Sequence, residues 1–414
     1  MLKRAVLGLC LPLVAAACGA PAANSSDLVL GVMLPLHGPQ ASLAQQELNG
    51  IEVAVDAANR AGGVHGRRVH LVSRDVTSRE GVEPAVRSLK ASGAQVVMGT
   101  YSSALSIPAA HSTSAAGLVY WETGAVADQV TGEALPRVFR VGAAGSNLGK
   151  GSAVFAAEQL APRLGRTVEQ LRVTVVQEHD PYGDSVAAAA VSELRRRGAQ
   201  VSPVVDYDAR KPEWDRVFPA VVAAQPDVLV LASYIPDGVA FRREMLARRV
   251  RVGALIGSTM AECGPEFGAM LGDDAIGVFA SDRPTRGFNP AALTGEARAA
   301  YYTLAADYQR RFHAAPGEEP ISGFSSAWAL IHHVLPAARS LDPAGIEVAA
   351  SAIELPDGAL PNGAGLRFSH DRADRGQNLR ASSVVWQWQG YRKSVTVWPP
   401  VLATGAVGLV PLPR

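Results

Sequence analysis

Sulfur is scarce in this sequence: 414 residues carry three cysteines. Cys10 and Cys18 lie near the start, so only Cys263 remains in the body of the chain. No intramolecular disulfide and no cysteine-based metal site is expected there, and a lone thiol is most often a small buried hydrophobe. Charge is thin as well, at 19% of residues and a net +1, with few lysines among the basic residues. No basic block runs long enough to follow a nucleic-acid backbone. The cluster "ELRRRGA" around Arg195 ends a helical pattern, where arginines complement the helix C-terminus and face solvent. Nucleic acid is therefore not an expected partner.

Catalytic signatures are missing too. There is no G-x-S-x-G elbow and no H-E-x-x-H. "GSNLGKGS" is one residue short between its glycines for a phosphate loop, and Gly151 stands where a magnesium-binding Ser or Thr would be needed. His332 and His333 are adjacent in a helical run, where they point about 100° apart and cannot easily share a metal. No enzyme, cofactor or metal is expected.

What is present begins at the N-terminus. "MLKR" is a short basic region, and "AVLGLCLPLVAAA" is an apolar stretch too short to span a membrane comfortably. Ala15, Ala16 and Ala17 lead to Cys18 and Gly19, which looks like a bacterial lipoprotein signal. Residues 1–17 are then expected to be the signal peptide, Cys18 the lipid attachment site and 18–27 a tether. Export is expected, with the protein periplasmic or lipid-anchored on the outer face of the cytoplasmic membrane. A plain export signal with an incidental cysteine is the alternative.

From Asp27 strands and helices alternate. "LVLGVMLPL" is an apolar strand candidate; in the helical segment after it Leu48, Ile51, Val55 and Ala58 share a face, and Gly62-Gly63 ends it. The same order repeats through "GLVYWE" and restarts near Asn147 with "RVTVVQE", "AQVSPVVDYD", "PDVLVLAS" and "VGALIGS". Alternation of this kind predicts an α/β fold of two lobes, each a parallel sheet covered by helices on both faces. The segment from Gly365 to Pro400 reads as paired strands.

Open parallel sheets bind ligands beyond the carboxyl ends of their strands. After one strand stand Thr100, Tyr101, Ser102 and Ser103, where a helix begins; helix-start amides and hydroxyls make a seat for a carboxylate. N-capping by Ser102 or Ser103 would explain the same residues more simply. After the next strand come Glu122, Thr123, Gly124 and Ala125, a second seat beside the first. Glu122 could meet a ligand ammonium or amide N–H, pair with an arginine, or serve as a helix N-terminal acid. Tyr182 and Tyr234 follow strands of the second lobe, where tyrosines serve either strand-end packing or a closing cleft.

Together these stretches resemble the branched-chain amino-acid-binding proteins of ABC importers, which are type I periplasmic binding proteins. The resemblance rests on His37-Gly38-Pro39, Gly50, the run Ala58–Gly66, Asp75, Tyr182-Gly183, and Gly365, Phe368 and Gly376. It implies lobe I over 28–146 and 281–366, lobe II over 147–280 and 367–400, three crossover strands between them, and a tail at 401–414. It also implies hinge closure on a small amino acid, amide or carboxylate, and delivery to ABC permease subunits at the membrane. Tyr101–Ser103 would take the ligand carboxylate, Thr123–Ala125 the carboxylate and amino group, and Tyr182 and Tyr234 would close from the second lobe. The glutamate that many members use for the ammonium falls on Thr259 here, with Glu262 three residues on; the first-loop aromatic falls on Leu43. A ligand-sensing receptor domain of the same fold is the alternative to transport.

Overall fold

A computed structural model describes residues 27–284, 287–381 and 383–413. The signal peptide, Cys18 and the tether expected at 1–26 lie outside the described residues.

The apolar runs fold as strands with buried side chains on both faces, which is what a parallel sheet covered on both sides requires. In the first lobe β1 (Leu28–Leu34), β2 (Val69–Asp75), β3 (Val96–Gly99), β4 (Val119–Glu122) and β5 (Val138–Arg140) form a sheet of order β2-β1-β3-β4-β5. Every neighbour pair in it is parallel. Helix Ala41–Arg60 buries Leu43, Leu48, Ile51 and Val55, and Gly62 and Gly63 follow it at φ values of 100° and 74°, a region that favours glycine. The aromatic centre of this lobe is Trp121, with Phe139 at 5.9 Å and Phe368 at 5.4 Å between ring centroids.

The second lobe holds β6 (Arg172–Glu178), β7 (Gln200–Val201), β8 (Val205–Tyr207), β9 (Val228–Ser233), β10 (Ala254–Met260), β11 (Phe279–Asp282), β12 (Val384–Gly390) and β13 (Lys393–Trp398). Its order is β13-β12-β11-β10-β9-β6-β7, with β8 also on β6. The sheet is parallel except for its last two strands, which add an antiparallel hairpin to β11. "AQVSPVVDYD", expected as one strand, is two, because Pro203 between them has no N–H to give the ladder.

Two boundaries need correction. The last crossing was expected at 366/367, but Phe368 packs in the first lobe, and Gln377 and Asn378 bridge to Arg140 and Phe368. The chain therefore stays with the first lobe for another turn of hairpin, drawn by the apolar surface of Trp121 and Phe139. The described part of the expected tail, 401–413, lies along the second lobe instead: Leu402 is buried, and Leu412 donates its amide to the Gly253 carbonyl at 2.7 Å.

Candidate ligand-binding site

At the end of β3 the chain turns sharply. Gly99 has φ 115°, and a side chain there would stand 2.0 Å from the Met33 carbonyl oxygen. Tyr101 follows at φ 70° and is buried in the first lobe's core. Ser102 is the N-cap of helix Ser103–Ala115, and its carbonyl accepts the Leu105 and Ser106 amides. The Ser102 side chain makes no capping bond. Ser103 Oγ accepts the Ala127 N–H at 3.1 Å, tying the exits of β3 and β4 together.

Glu122 fills the place expected to receive a ligand. It is fully buried at the end of β4. Its Oε1 accepts the amides of Thr123, Gly124 and Ala125 at 2.9, 2.8 and 2.7 Å. Its Oε2 accepts the Thr100 amide at 3.0 Å, the Tyr120 hydroxyl at 2.6 Å and the Ser106 hydroxyl. The amides of the second seat thus donate to the protein's own carboxylate, and Arg140 lies close enough for Glu122 to favour its charge. Six donors surround this carboxylate.

The loop past Glu122 is held from both sides. Thr123 donates its hydroxyl to Glu47, and its carbonyl accepts from Ser322 Oγ at 3.0 Å. A Cβ on Gly124 would stand 2.3 Å from Glu47 Oε2 and 2.9 Å from the Tyr101 ring, so only glycine fits. The buried Arg283, just past β11, donates Nη1 to the Gly124 carbonyl at 3.0 Å and pairs Nη2 with Glu318 at 2.8 Å. Burial opposes its charge, yet Glu318 and Asp282 hold its pKa above the ordinary value. Burial pushes Glu47 up to about 8 and Glu319 up to about 7.

In the second lobe Tyr182 turns its hydroxyl inward, 3.1 Å from the Ser233 carbonyl and 3.3 Å from that of Ser258. Its ring packs on Tyr234 at 5.1 Å between centroids, and the Tyr234 hydroxyl donates to Asp180. Thr259 sits at φ 74° with its hydroxyl buried and without a hydrogen-bond partner. Glu262 is more telling. It is fully buried at the exit of β10, and neither carboxyl oxygen has a donor. Burial pushes its pKa well up. Its neighbours are Gly257, Gly238 and the likewise unpartnered Ser233 hydroxyl.

The lobes are in contact along this junction. Val126 packs with Tyr182 and Val186, and Ile235 packs against the cores of both lobes. The contact sets Val126, next to Ala125, against Tyr182, whose ring packs on Tyr234. Cys263, Asp282 and Glu318, from three distant segments, bring donor atoms within 4.8 Å of one another. Burial raises the thiol's pKa and Glu318 is spent on Arg283, so this trio fits a packing cluster around a neutral thiol better than a metal centre. Sequence reasoning missed Glu47, Arg283 and Glu318. For Glu47 a signal exists, since it lies at helical spacing from Ala44 and Ile51. For Arg283 there is none, because its partners lie far away in sequence.

A family profile described as a periplasmic binding protein matches residues 28–385. Leu/Ile/Val-binding protein homolog 8 of Brucella abortus (strain 2308) is 30% identical over 380 residues, spanning 90% of this chain and 91% of that one. The chain is a type I periplasmic binding protein of the branched-chain amino-acid-binding family. This binding protein shares its fold with leucine-binding protein LivK of Thermotoga maritima, at a TM-score of 0.74 and 17% identity over 90% of this chain and 98% of the other. A solute-binding protein of R. palustris, solved with benzoate, has a TM-score of 0.70 at 17% identity over 92% and 98% of the two chains. The family is one of solute-binding proteins rather than enzymes. Among the described residues no helix is long and apolar enough to cross a membrane.

Proposed function

We propose that this binding protein is the lipid-anchored substrate-binding component of an ABC importer, taking an α-amino acid between its lobes and delivering it to a permease. The observation that carries the ligand class is Glu262. A fully buried carboxyl with two oxygens lacking any donor is costly, and a ligand ammonium supplies what the chain does not. The hydroxyls of Thr259 and Ser233, also without partners, give the ammonium further acceptors. Tyr101, Ser102 and Ser103, at the start of helix Ser103–Ala115, are the side for the ligand carboxylate. The Brucella relative's name supports an apolar amino acid, whereas the benzoate complex leaves room for an aromatic carboxylate.

Calorimetry on protein stripped of bound molecules, titrated with L-leucine, L-isoleucine and benzoate, separates these. Binding of the amino acids alone supports the reading; binding of benzoate alone removes the need for Glu262. The anchor is tested apart: Cys18→Ser should move the protein from membrane to soluble fraction with binding intact. Wild-type protein without acyl chains on its N-terminal peptide would refute lipidation.

A further inference from the structure

Both lobes and the last crossing segment enclose a groove of about 660 Å³ that shares no residue with the Tyr101–Ser103, Thr123–Ala125, Tyr182 or Tyr234 set. Val126 stands between the two. Its side chain packs with Tyr182, and its carbonyl accepts the Gly145 amide at 2.6 Å.

The groove carries charge of both signs. Arg140 is 1% exposed and donates Nε to Gln377 at 2.5 Å, Nη1 to the Ala127 carbonyl at 2.6 Å and Nη2 to Thr131 Oγ1 at 3.1 Å. Among the described residues no carboxylate pairs with it within 4.0 Å, in contrast to Arg283. Burial pulls its pKa down to about 10, although Asp128, Glu122 and Asp374 lie near enough to counter this in part. Of its two Nη2 hydrogens, one goes to Thr131 and the second is left for a partner in the groove.

Facing it are Asp128 from the first lobe, Asp184 from the second and Asp374 from the crossing segment, with Glu133, paired to His111, at the rim. Among the described residues each aspartate is engaged at one oxygen: Asp128 Oδ1 accepts from the Ser146 amide at 3.0 Å, Asp184 Oδ1 from Gln177 at 2.8 Å with His179 Nδ1 at 3.2 Å, and Asp374 Oδ1 from Ser369. A simple anion would meet three aspartates, and a simple cation would meet a guanidinium. A molecule with both charges answers both. The remaining lining is rich in amides, among them Gln129 and Asn147, and suits a polar side chain.

We propose that this groove is a second small-molecule site, for a polar α-amino acid whose carboxylate rests on Arg140 and Thr131 and whose ammonium rests among Asp128, Asp184 and Asp374. An occupant would touch both lobes, so its binding and that of the ligand at the Tyr101–Tyr182 junction would be linked reciprocally.

L-glutamine is the probe, with n-butylamine and butyrate as controls that each carry one of its charges. Hydrogen exchange on the full chain should show protection of 128–133 and 373–379 with L-glutamine and with neither control. Calorimetry should show about tenfold weaker binding in Asp374→Asn, the loss of one charge-assisted bond. Asp374 lies half-buried in a turn and Asn keeps the acceptor for Ser369, so folding does not confuse the result. Equal binding by butylamine, unchanged affinity in Asp374→Asn, protection confined to 101–103 and 182, or no binding of L-glutamine would each overturn the proposal.

Discussion

Glu122 Oε2 lies 3.0 Å from the Thr100 amide nitrogen, so a side chain at the end of β4 fastens the loop that leaves β3. With its other oxygen on three amides of its own loop, this carboxylate organises both strand exits where the first lobe faces the second.

Glu122→Gln should therefore cost stability rather than ligand selectivity. The amide presents an NH2 to donors that need an acceptor, and it removes charge-assisted bonds. A loss of about 3 kcal/mol is expected in urea unfolding. Binding of the folded fraction should weaken equally for every ligand class. A loss confined to amines would mean that Glu122 turns toward ligand after all.

Gly124→Ala tests the packing behind that loop. The new methyl would meet Glu47 Oε2 at 2.3 Å and the Tyr101 backbone at 3.0 Å. Glu47 is held by Thr123 and Tyr101 is buried, so neither yields freely. Overpacking of this kind costs about 1–3 kcal/mol. Thermal denaturation of the variant should show a lowered midpoint, and Gly124→Ala combined with Glu47→Ala should recover part of it.

Much of this was readable from the chain. Alternation of apolar runs with helical spacing gave both lobes, and strand exits pointed to Tyr101, Ser103, Tyr182 and Tyr234. What the residues do was less readable. Glu122 follows an apolar strand, but a strand says nothing of where a carboxylate turns. Here its own loop curls back within reach, and three adjacent amides donate to it. Glu262 stands three residues past Thr259 in the sequence, and position along a strand exit does not reveal burial. The last crossing was misplaced because Phe368 has no local pattern and is held by rings distant in sequence.

Stability should fall as pH rises from about 5 to 8. Glu47 and Glu319 sit at about 8 and about 7 in the folded protein, above the model-peptide carboxyl range. A raised folded pKa adds stability that is complete below the unfolded pKa and lost as pH climbs through the folded one. Glu193, held at about 2 by Arg196 and Arg197, acts oppositely, but its contribution is complete above about pH 5 and stays level across this window. Calorimetric melting at constant ionic strength should show the decline, and Glu47→Gln should flatten it. A midpoint rising toward pH 8 would show that these carboxyls are solvated in solution.

The last prediction concerns the proton on Glu262. In the ligand-free protein burial holds its carboxyl well above the ordinary carboxylate range, which favours the neutral form. An ammonium arriving beside it favours the charged form, so binding should release a proton. Affinity for L-leucine should then rise with pH, by at most about tenfold per unit, until the free carboxyl itself ionises. Titrations at pH 7 in buffers of different ionisation enthalpy count that proton directly. Glu262→Gln should abolish the release and weaken binding by about 1.5–3 kcal/mol, the range for a charge-assisted bond. Proton release that survives in Glu262→Gln would place the ammonium on another carboxylate, with Glu47 the next to test because its Oε2 is likewise buried without a donor.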